Sequence, residues 1–197
     1  MIDPGQYFGI SVFSSYPLSR GHVHITGPNV DDAIDFVTPI YNDPDGFDLA
    51  VARWAFRKQR EIARRMDIYR GFVAMANPAF PDGSDAAASH EKEYPLPQDL
   101  KDIEYSKEDD AVLDKYLRAN AGSTWHPLGT CKMAPLESGG VVDASLSVYG
   151  VERLKVADLS IPPSNVGSNT ANTALLIGEK AADILIEELG LNKVSST

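Results

Sequence analysis

Histidines are the first candidates for chemistry in this sequence, because a neutral imidazole can accept a proton near physiological pH. The chain has four of them. His22 and His24 stand two apart in a strand-like stretch, so they would share one face and could ligate a metal ion. No third ligand stands at a suitable spacing, so ordinary strand positions are favoured and no metal site is predicted. His90 lies in an irregular acidic stretch and is expected to be exposed.

His126 differs from the others because it lies between Trp125 and Pro127. Proline disfavours regular structure, so the segment is expected to form a loop that holds an imidazole. From the residue pattern alone, a general base and a structural histidine fit equally well. The single cysteine, Cys131, follows in the same segment. A thiol nucleophile is conceivable there, but a small buried side chain is the simpler interpretation.

The first half of the chain has patterns of both strand and helix. Residues 7–15 and 22–26 are rich in β-branched and aromatic residues, and they are predicted to form two strands joined by a turn. Apolar residues recur at helical spacing over residues 47–66, which predicts a long amphipathic helix. Its other face is expected to be solvated and is assigned no function. That face carries six cations, Arg53, Arg57, Lys58, Arg60, Arg64 and Arg65.

A surface excursion and a capped helix are predicted in the middle of the chain. Residues 77–100 are rich in proline, glycine, alanine and acidic residues without clear periodicity, so at most one short helix is expected there. Ser106 and Asp109 then form a pattern similar to a capping box. The apolar residues behind them predict a helix over residues 107–118 that ends near Asn120.

The last third of the chain is predicted to contain two short strands and a final helix. Residues 141–143 and 154–157 have strand composition, with Gly150 in the turn between them. Small and apolar residues recur from residue 170 onward, so a helix is predicted to run to about residue 189 and to stop at Gly190.

Composition excludes several classes of function. Asp and Glu number 28 against 18 Lys and Arg, for a net charge of -10, and basic residues do not cluster with aromatic ones. Nucleic acid is therefore not an expected partner. No apolar run approaches the roughly 20 residues of a membrane span, and the N-terminus has no signal-peptide pattern. The last residues do not form a Ser-Lys-Leu peroxisomal signal, so the compartment stays open between cytoplasm and peroxisome.

Several linked segments resemble the C-terminal signature of glucose-methanol-choline (GMC) oxidoreductases in both order and spacing. They are residues 125–131, 140–143, 149–158, 160–163, 166–170 and 178–183, with residues 17–23 and 42–44 upstream. The resemblance covers nearly the whole chain and is weakest over residues 77–100. Within the family, Trp125 before the histidine and Asn169 in place of a second histidine are most similar to fungal alcohol (methanol) oxidases.

The resemblance implies an incomplete α/β fold. Residues 1–135 would supply an α+β portion of the substrate-binding domain, including the histidine loop. Residues 136–197 would return to an FAD-binding, Rossmann-like domain and form its last strand and helix. The chain contains no Gly-x-Gly-x-x-Gly, so it cannot build the dinucleotide-binding turn by itself.

The resemblance also implies roles for individual residues. His126 would be the catalytic base, and Asn169 would donate an amide hydrogen bond to the substrate oxygen, although its residue type suits a helix cap equally well. Ala157, Asp158, Asn169 and Thr170 match positions that contact FAD in this family. For Asp158, an ordinary turn carboxylate is the alternative. Trp125 matches a wall of the alcohol pocket, and a purely structural aromatic is its alternative.

The function that follows from the resemblance is the oxidation of short primary alcohols to aldehydes, with FAD as cofactor and O₂ reduced to H₂O₂. The expected partners are a small alcohol and O₂, and the complete enzyme is a possible homo-oligomer. Two alternatives remain open. One is a GMC dehydrogenase with another electron acceptor, and the other is a catalytically silent fragment that lacks the nucleotide-binding half.

Overall fold

The computed structural model describes residues 4–87, 97 and 99–191. Contacts divide the described residues into two compact units. The first unit takes in residues 4–14, 18–20 and 39–122, and the second takes in residues 15–17, 21–38 and 123–191. The predicted domain division into residues 1–135 and 136–197 concerns the complete enzyme and stays a prediction. His90 lies outside the described residues.

A long helix, α1 (Phe47–Arg64), organises the first unit and confirms the helix predicted over residues 47–66. It begins after Gly46, whose φ of 66° lies in the left-handed region that glycine adopts readily. The Asp43 carboxylate accepts the backbone N–H groups of Phe47 and Asp48 at 2.6 and 3.2 Å. A side chain from the preceding turn thereby caps the start of α1.

The expectation that all six cations of the helix predicted over residues 47–66 form a solvated face was wrong. Arg60 is only 3% exposed and Arg64 only 6% exposed. The Arg60 guanidinium donates to the Ala86 carbonyl at 2.9 Å and lies 4.3 Å from the ring centre of Phe72. Aromatic rings and a carbonyl can accommodate a guanidinium because it is weakly hydrated and stacks on aromatic faces.

A second helix, α2 (Lys107–Asn120), accounts for two more of these cations. Arg53 makes a bidentate pair with Asp114 on α2 at 2.7 and 2.8 Å, and Arg57 pairs with Asp110 on the same helix. The helical spacing on α1 could not reveal these partners, because carboxylates about 50 to 60 positions later in the chain supply them. The buried core of this unit is Phe56, Phe80, Ala86 and Leu113.

The capping box predicted for α2 is confirmed. The Ser106 hydroxyl accepts the Asp109 backbone N–H at 3.1 Å, and the Asp109 carboxylate accepts the Ser106 backbone N–H at 2.8 Å. Asp109 is 1% exposed and also accepts the Ser84 hydroxyl at 2.7 Å. Burial opposes ionisation of Asp109, but the hydrogen bonds from Ser84 and Ser106 outweigh it and hold the pKa of this carboxyl below its ordinary value.

We expect Asp109→Asn to destabilise the chain by about 1 to 3 kcal/mol at pH 7, because hydrogen bonds to a charged acceptor are lost. The pKa of Asp109 is lower in the folded state than its unfolded value of about 3.9. Its stabilisation is therefore present above that pH and is lost as the pH falls through the lower folded-state pKa. Urea unfolding at several pH values measures this difference, with the exposed Asp82→Asn as control. A gap between wild type and Asp109→Asn that stays constant into strong acid would contradict the assignment.

Two short strands in the second unit pair with each other. Strand β1 (His22–His24) is antiparallel to β2 (Asp35–Val37), with His22 opposite Val37. The predicted pairing of residues 7–15 with 22–26 was wrong, and no strand is described over residues 7–15. Residues 27–32 reverse the chain between β1 and β2. There the Asp32 carboxylate accepts the Asn29 backbone N–H at 2.8 Å.

The rest of the second unit packs on a final helix, α3 (Ala171–Glu188), which confirms the helix predicted over residues 170–189. Gly190 follows it with a φ of 64°, as the predicted stop requires. The strands predicted at residues 141–143 and 154–157 are present only as isolated bridges. The buried core consists of Val142, Leu146, Ile161, Ile177 and Ala181.

Three short 3₁₀ helices complete the described secondary structure, and they span Ala74–Ala76, Asp85–Ala87 and Leu136–Ser138. Of residues 77–100, the described part contains one short helix, which agrees with the expectation for that stretch. Over the described ranges, no helix has the length and apolar character needed to cross a membrane.

Candidate active site

The loop that carries His126 is anchored by backbone hydrogen bonds to a distant segment of the second unit. The N–H groups of Gly129, Cys131 and Met133 donate to the carbonyls of residues 159, 160 and 161 at 3.0, 2.8 and 2.7 Å. Gly129 has a φ of 83°, and a Cβ atom there would lie 3.0 Å from the Pro162 carbonyl oxygen. The close approach therefore favours glycine.

The structure brings His126 and Asn169 together across 43 positions of the chain. The Asn169 Nδ2 lies 2.9 Å from His126 Nε2, and the Thr170 Oγ1 lies 2.9 Å from His126 Nδ1. Both ring nitrogens are thus hydrogen bonded. Asn169 and Thr170 directly precede α3, so this site is formed by the histidine loop and the N-terminal end of α3.

The orientation of the Asn169 carboxamide follows from its second contact. Its Oδ1 accepts the Ala171 backbone N–H at 2.9 Å, which leaves the NH₂ group to face the imidazole. An amide nitrogen only donates, so His126 Nε2 accepts with its lone pair. Asn169 therefore caps the first residue of α3 and contacts His126 at the same time. The two interpretations of this residue are compatible.

Ala157 and Asp158 line a groove of about 580 Å³ in the second unit. Most of its other walls are apolar, and they come from residues Val23, Ile34, Phe36, Pro127, Leu128, Leu159 and Ala174. The contributions of β1, β2 and the residues between them were not predicted from the sequence, because they depend on where the strand pair lies in the fold. Pro127, which is one of the lining residues, directly follows His126 in the chain.

Asp158 makes a local turn interaction. Its Oδ1 accepts the Ser160 backbone N–H at 2.8 Å. The Ser160 hydroxyl, together with that N–H, holds the pKa of the Asp158 carboxyl below its ordinary value. Asp158 is therefore a charged turn carboxylate in this structure, and its contact with FAD stays a prediction.

Trp125 has an unusual backbone conformation for a large residue. Its φ is 59°, and its side chain is 86% exposed. Left-handed conformations are uncommon for residues other than glycine, and they occur often at functional sites. The Trp125 N–H donates to the Ser123 hydroxyl at 2.9 Å. A role as a pocket wall stays a prediction.

The remaining chemical candidates have simpler roles. The His22 and His24 rings stack at 4.9 Å, and His22 Nε2 lies 3.1 Å from an Asp35 carboxylate oxygen. Among the described residues, no cluster of three potential metal ligands occurs. Cys131 is a free thiol of intermediate burial, so the simpler interpretation of it as a small buried side chain was wrong.

These features fit the binding of a flavin. A flavin ring is a flat apolar body with a polar rim, which matches an apolar groove beside hydrogen-bonding side chains. The first turn of α3 also has backbone N–H groups without intrahelical partners, and the positive end of the helix dipole lies there. Both effects favour negative charge on a ring placed near Asn169 and Thr170.

Comparison with known proteins identifies the family. A family model described as GMC oxidoreductase matches residues 17–178. The chain belongs to the GMC oxidoreductase family. It is 41% identical to alcohol oxidase 1 of Komagataella phaffii and 40% identical to the alcohol oxidase of Pichia angusta. Each match covers 96% of this chain and 35% of the relative, so the chain spans about a third of the length of these relatives.

A solved structure agrees with this assignment. An FAD-dependent oxidoreductase from Chaetomium thermophilum superimposes with a TM-score of 0.62 at 29% identity, over 90% of this chain and 26% of that one. The predicted family, the predicted fold class as part of an α/β GMC fold, and FAD as the family's cofactor are confirmed. The roles of individual site residues stay predictions.

Proposed function

We propose that this chain forms part of an FAD-dependent alcohol oxidase that converts short primary alcohols to aldehydes and reduces O₂ to H₂O₂. The observation that supports it best is the 2.9 Å contact between His126 Nε2 and Asn169 Nδ2 at the N-terminal end of α3. An alcohol hydroxyl can donate its hydrogen to the Nε2 lone pair, and its oxygen can accept a hydrogen bond from the amide. The similarity to fungal alcohol oxidases favours this substrate class over other CH–OH compounds.

His126 acts as the base in this proposal. Its Nε2 lone pair faces the Asn169 amide, and the other ring nitrogen is hydrogen bonded to Thr170. The alcohol O–H replaces the Asn169 N–H at Nε2 and passes its proton to that nitrogen. A bound FAD would supply the acceptor for the hydride that leaves the alcohol carbon.

Asn169 orients the substrate and stabilises its oxygen. Once the alcohol is present, the Nδ2 group donates to the substrate oxygen and the Oδ1 atom stays bonded to the Ala171 N–H. This hydrogen bond strengthens as negative charge develops on the oxygen during proton removal. A carboxamide does not titrate in the working pH range, so the donor is always present.

Four residues complete the proposed site around His126 and Asn169. Ala157 and Asp158 line the apolar groove and would lie along the cofactor, together with Thr170. Trp125 would form a wall against the alcohol, and its size would favour small substrates.

A substrate test addresses the proposal directly. The complete flavoprotein that contains this chain is mixed with methanol or ethanol without oxygen, and the flavin absorbance is followed. We expect rapid bleaching, and then one H₂O₂ formed per flavin when air is admitted. Tertiary butanol is the matched control, because its carbinol carbon has no hydrogen to lose. The absence of bleaching by any primary alcohol would contradict the proposal.

The same experiment tests the dehydrogenase alternative, and a separate binding measurement tests the silent fragment. Bleaching by alcohol followed by slow reaction with O₂ and fast reaction with a redox dye would indicate a dehydrogenase. A silent fragment is tested by adding FAD to the purified 197-residue chain and measuring the flavin that stays bound after gel filtration. We expect little or no bound flavin in that sample, because the sequence contains no Gly-x-Gly-x-x-Gly.

A further inference from the structure

We propose that Thr170 is a positioning residue that holds the His126 imidazole in the tautomer with its proton on Nδ1. The Thr170 hydroxyl acts through His126 and needs no contact with the substrate. The catalytic consequence rests on the proposed function, whereas the tautomer can be measured without it.

The proton position follows from the partners of the two ring nitrogens. Asn169 presents an NH₂ group to Nε2, because its oxygen is already bonded to the Ala171 N–H. Two donors cannot share a hydrogen bond, so Nε2 carries the lone pair. In a neutral imidazole the proton is then on Nδ1. Nδ1 lies 2.9 Å from the Thr170 Oγ1, which therefore accepts a hydrogen bond from the Nδ1–H group.

The helix cap supplies an independent observation. Thr170 is the N-cap residue of α3, and a threonine at this position usually accepts a backbone N–H of the first turn. The Thr170 side chain makes no such cap hydrogen bond. The neighbouring Asn169 caps the Ala171 N–H instead, and the Thr170 hydroxyl is directed at the imidazole. The Thr170 hydroxyl thus contacts His126 in place of the usual cap hydrogen bond to the helix backbone.

Burial makes Thr170 suitable for this role. The residue is 3% exposed, while Asn169 beside it is exposed. Water therefore has little access to compete for Nδ1 from the side of the threonine. The partner of Nδ1 is sheltered, and the partner of Nε2 lies on the open side where a substrate can arrive.

The position of the proton decides whether His126 can act as a base. With the proton on Nδ1, the Nε2 lone pair is available for the alcohol hydroxyl. With the proton on Nε2, the ring has no acceptor at that position. The Nε2–H group would then face the NH₂ group of Asn169, which is also a donor. Without the Thr170 hydroxyl, the hydrogen bond that favours Nδ1–H is lost. The fraction of His126 ready to accept a proton then falls.

Nitrogen NMR of the ¹⁵N-histidine-labelled 197-residue chain tests the proposal, with dispersed amide signals as the check of folding. We expect Nδ1 of His126 to have the shift of a protonated nitrogen and Nε2 that of a lone-pair nitrogen. Thr170→Ser keeps the hydroxyl and should keep this tautomer. Thr170→Val has the same shape without the hydroxyl and should give a mixture. The signals of His22 and His24 serve as internal controls.

Either of two results would overturn the proposal. One is a wild-type protein with the His126 proton on Nε2, which needs no variant to fold. The other is a folded Thr170→Val chain that retains the Nδ1–H tautomer in full.

Turnover in the complete flavoprotein tests the catalytic consequence. We expect Thr170→Val to lower kcat on the order of 10-fold, by analogy with outer partners of metal-bound imidazoles, with recovery in Thr170→Ser. An unchanged kcat in Thr170→Val would overturn the positioning role. A wild-type flavoprotein that oxidises no alcohol but has the expected tautomer would contradict the proposed function and leave the assignment of Thr170 supported. The two failures are therefore distinguishable.

Discussion

His126→Ala lowers the turnover of short primary alcohols on the order of 10²-fold or more in the complete flavoprotein, while FAD stays bound. The reason is chemical. The substitution removes the Nε2 lone pair that Asn169 faces at 2.9 Å, and no other proton acceptor is hydrogen bonded to Asn169 Nδ2 among the described residues. Steady-state kinetics measure the loss, and flavin absorbance per polypeptide measures cofactor retention.

Two further variants make this expectation specific. His126→Gln keeps a polar side chain that can accept a hydrogen bond but cannot take up a proton at neutral pH, so it should lose nearly as much activity as His126→Ala. His24→Ala removes an imidazole from β1 and should leave the turnover unchanged. Unaltered turnover in a flavin-loaded His126→Ala protein would remove His126 from the mechanism.

Glu61→Ala destabilises the first unit by about 3 to 5 kcal/mol, which is the usual range for removing one partner of a buried ion pair. Glu61 and Arg64 have side chains only 9% and 7% exposed, and they lie 3.1 Å apart. The Glu61 carboxylate also accepts the Ile103 backbone N–H at 2.9 Å and pairs with Arg65. The substitution removes the negative charge that a buried guanidinium faces and an acceptor for a backbone donor.

Equilibrium urea unfolding of the 197-residue chain measures this effect. Glu104→Ala is the matched control, because Glu104 is exposed and surface substitutions usually change stability by less than about 0.5 kcal/mol. Glu61→Gln keeps an acceptor for Ile103 and should have an intermediate effect. A loss below about 1 kcal/mol in Glu61→Ala would show that the buried pair does not stabilise the fold.

The elements with strong local signals could be predicted from the sequence. Helix α2 has a capping box whose two hydrogen bonds are made within four residues, so Ser106 and Asp109 alone predict where the helix begins. Helices α1 and α3 have a sustained apolar period that few alternative structures satisfy. The strands were less predictable, because a three-residue strand has little pattern of its own. The pairing of β1 with β2 depends on the tertiary structure and not on the local sequence.

The buried arginines show a second limit of sequence reasoning. A periodic row of cations on α1 is typical of a solvated face. Arg60 and Arg64 are buried because aromatic rings, a carbonyl and a carboxylate surround them in the folded unit. Those groups include residues outside α1, so they cannot be predicted from the spacing of residues within the helix.

By itself, the sequence determined the family, the residue types available for catalysis and the three long helices, because these depend on local order and on motifs with defined spacing. Only the tertiary structure decided that the imidazole of His126 meets Asn169 and Thr170 and that each ring nitrogen has its own partner. The physical reason is the range of the interactions. Hydrogen bonds between groups more than 40 positions apart depend on how the histidine loop and α3 pack, and no local pattern encodes that packing.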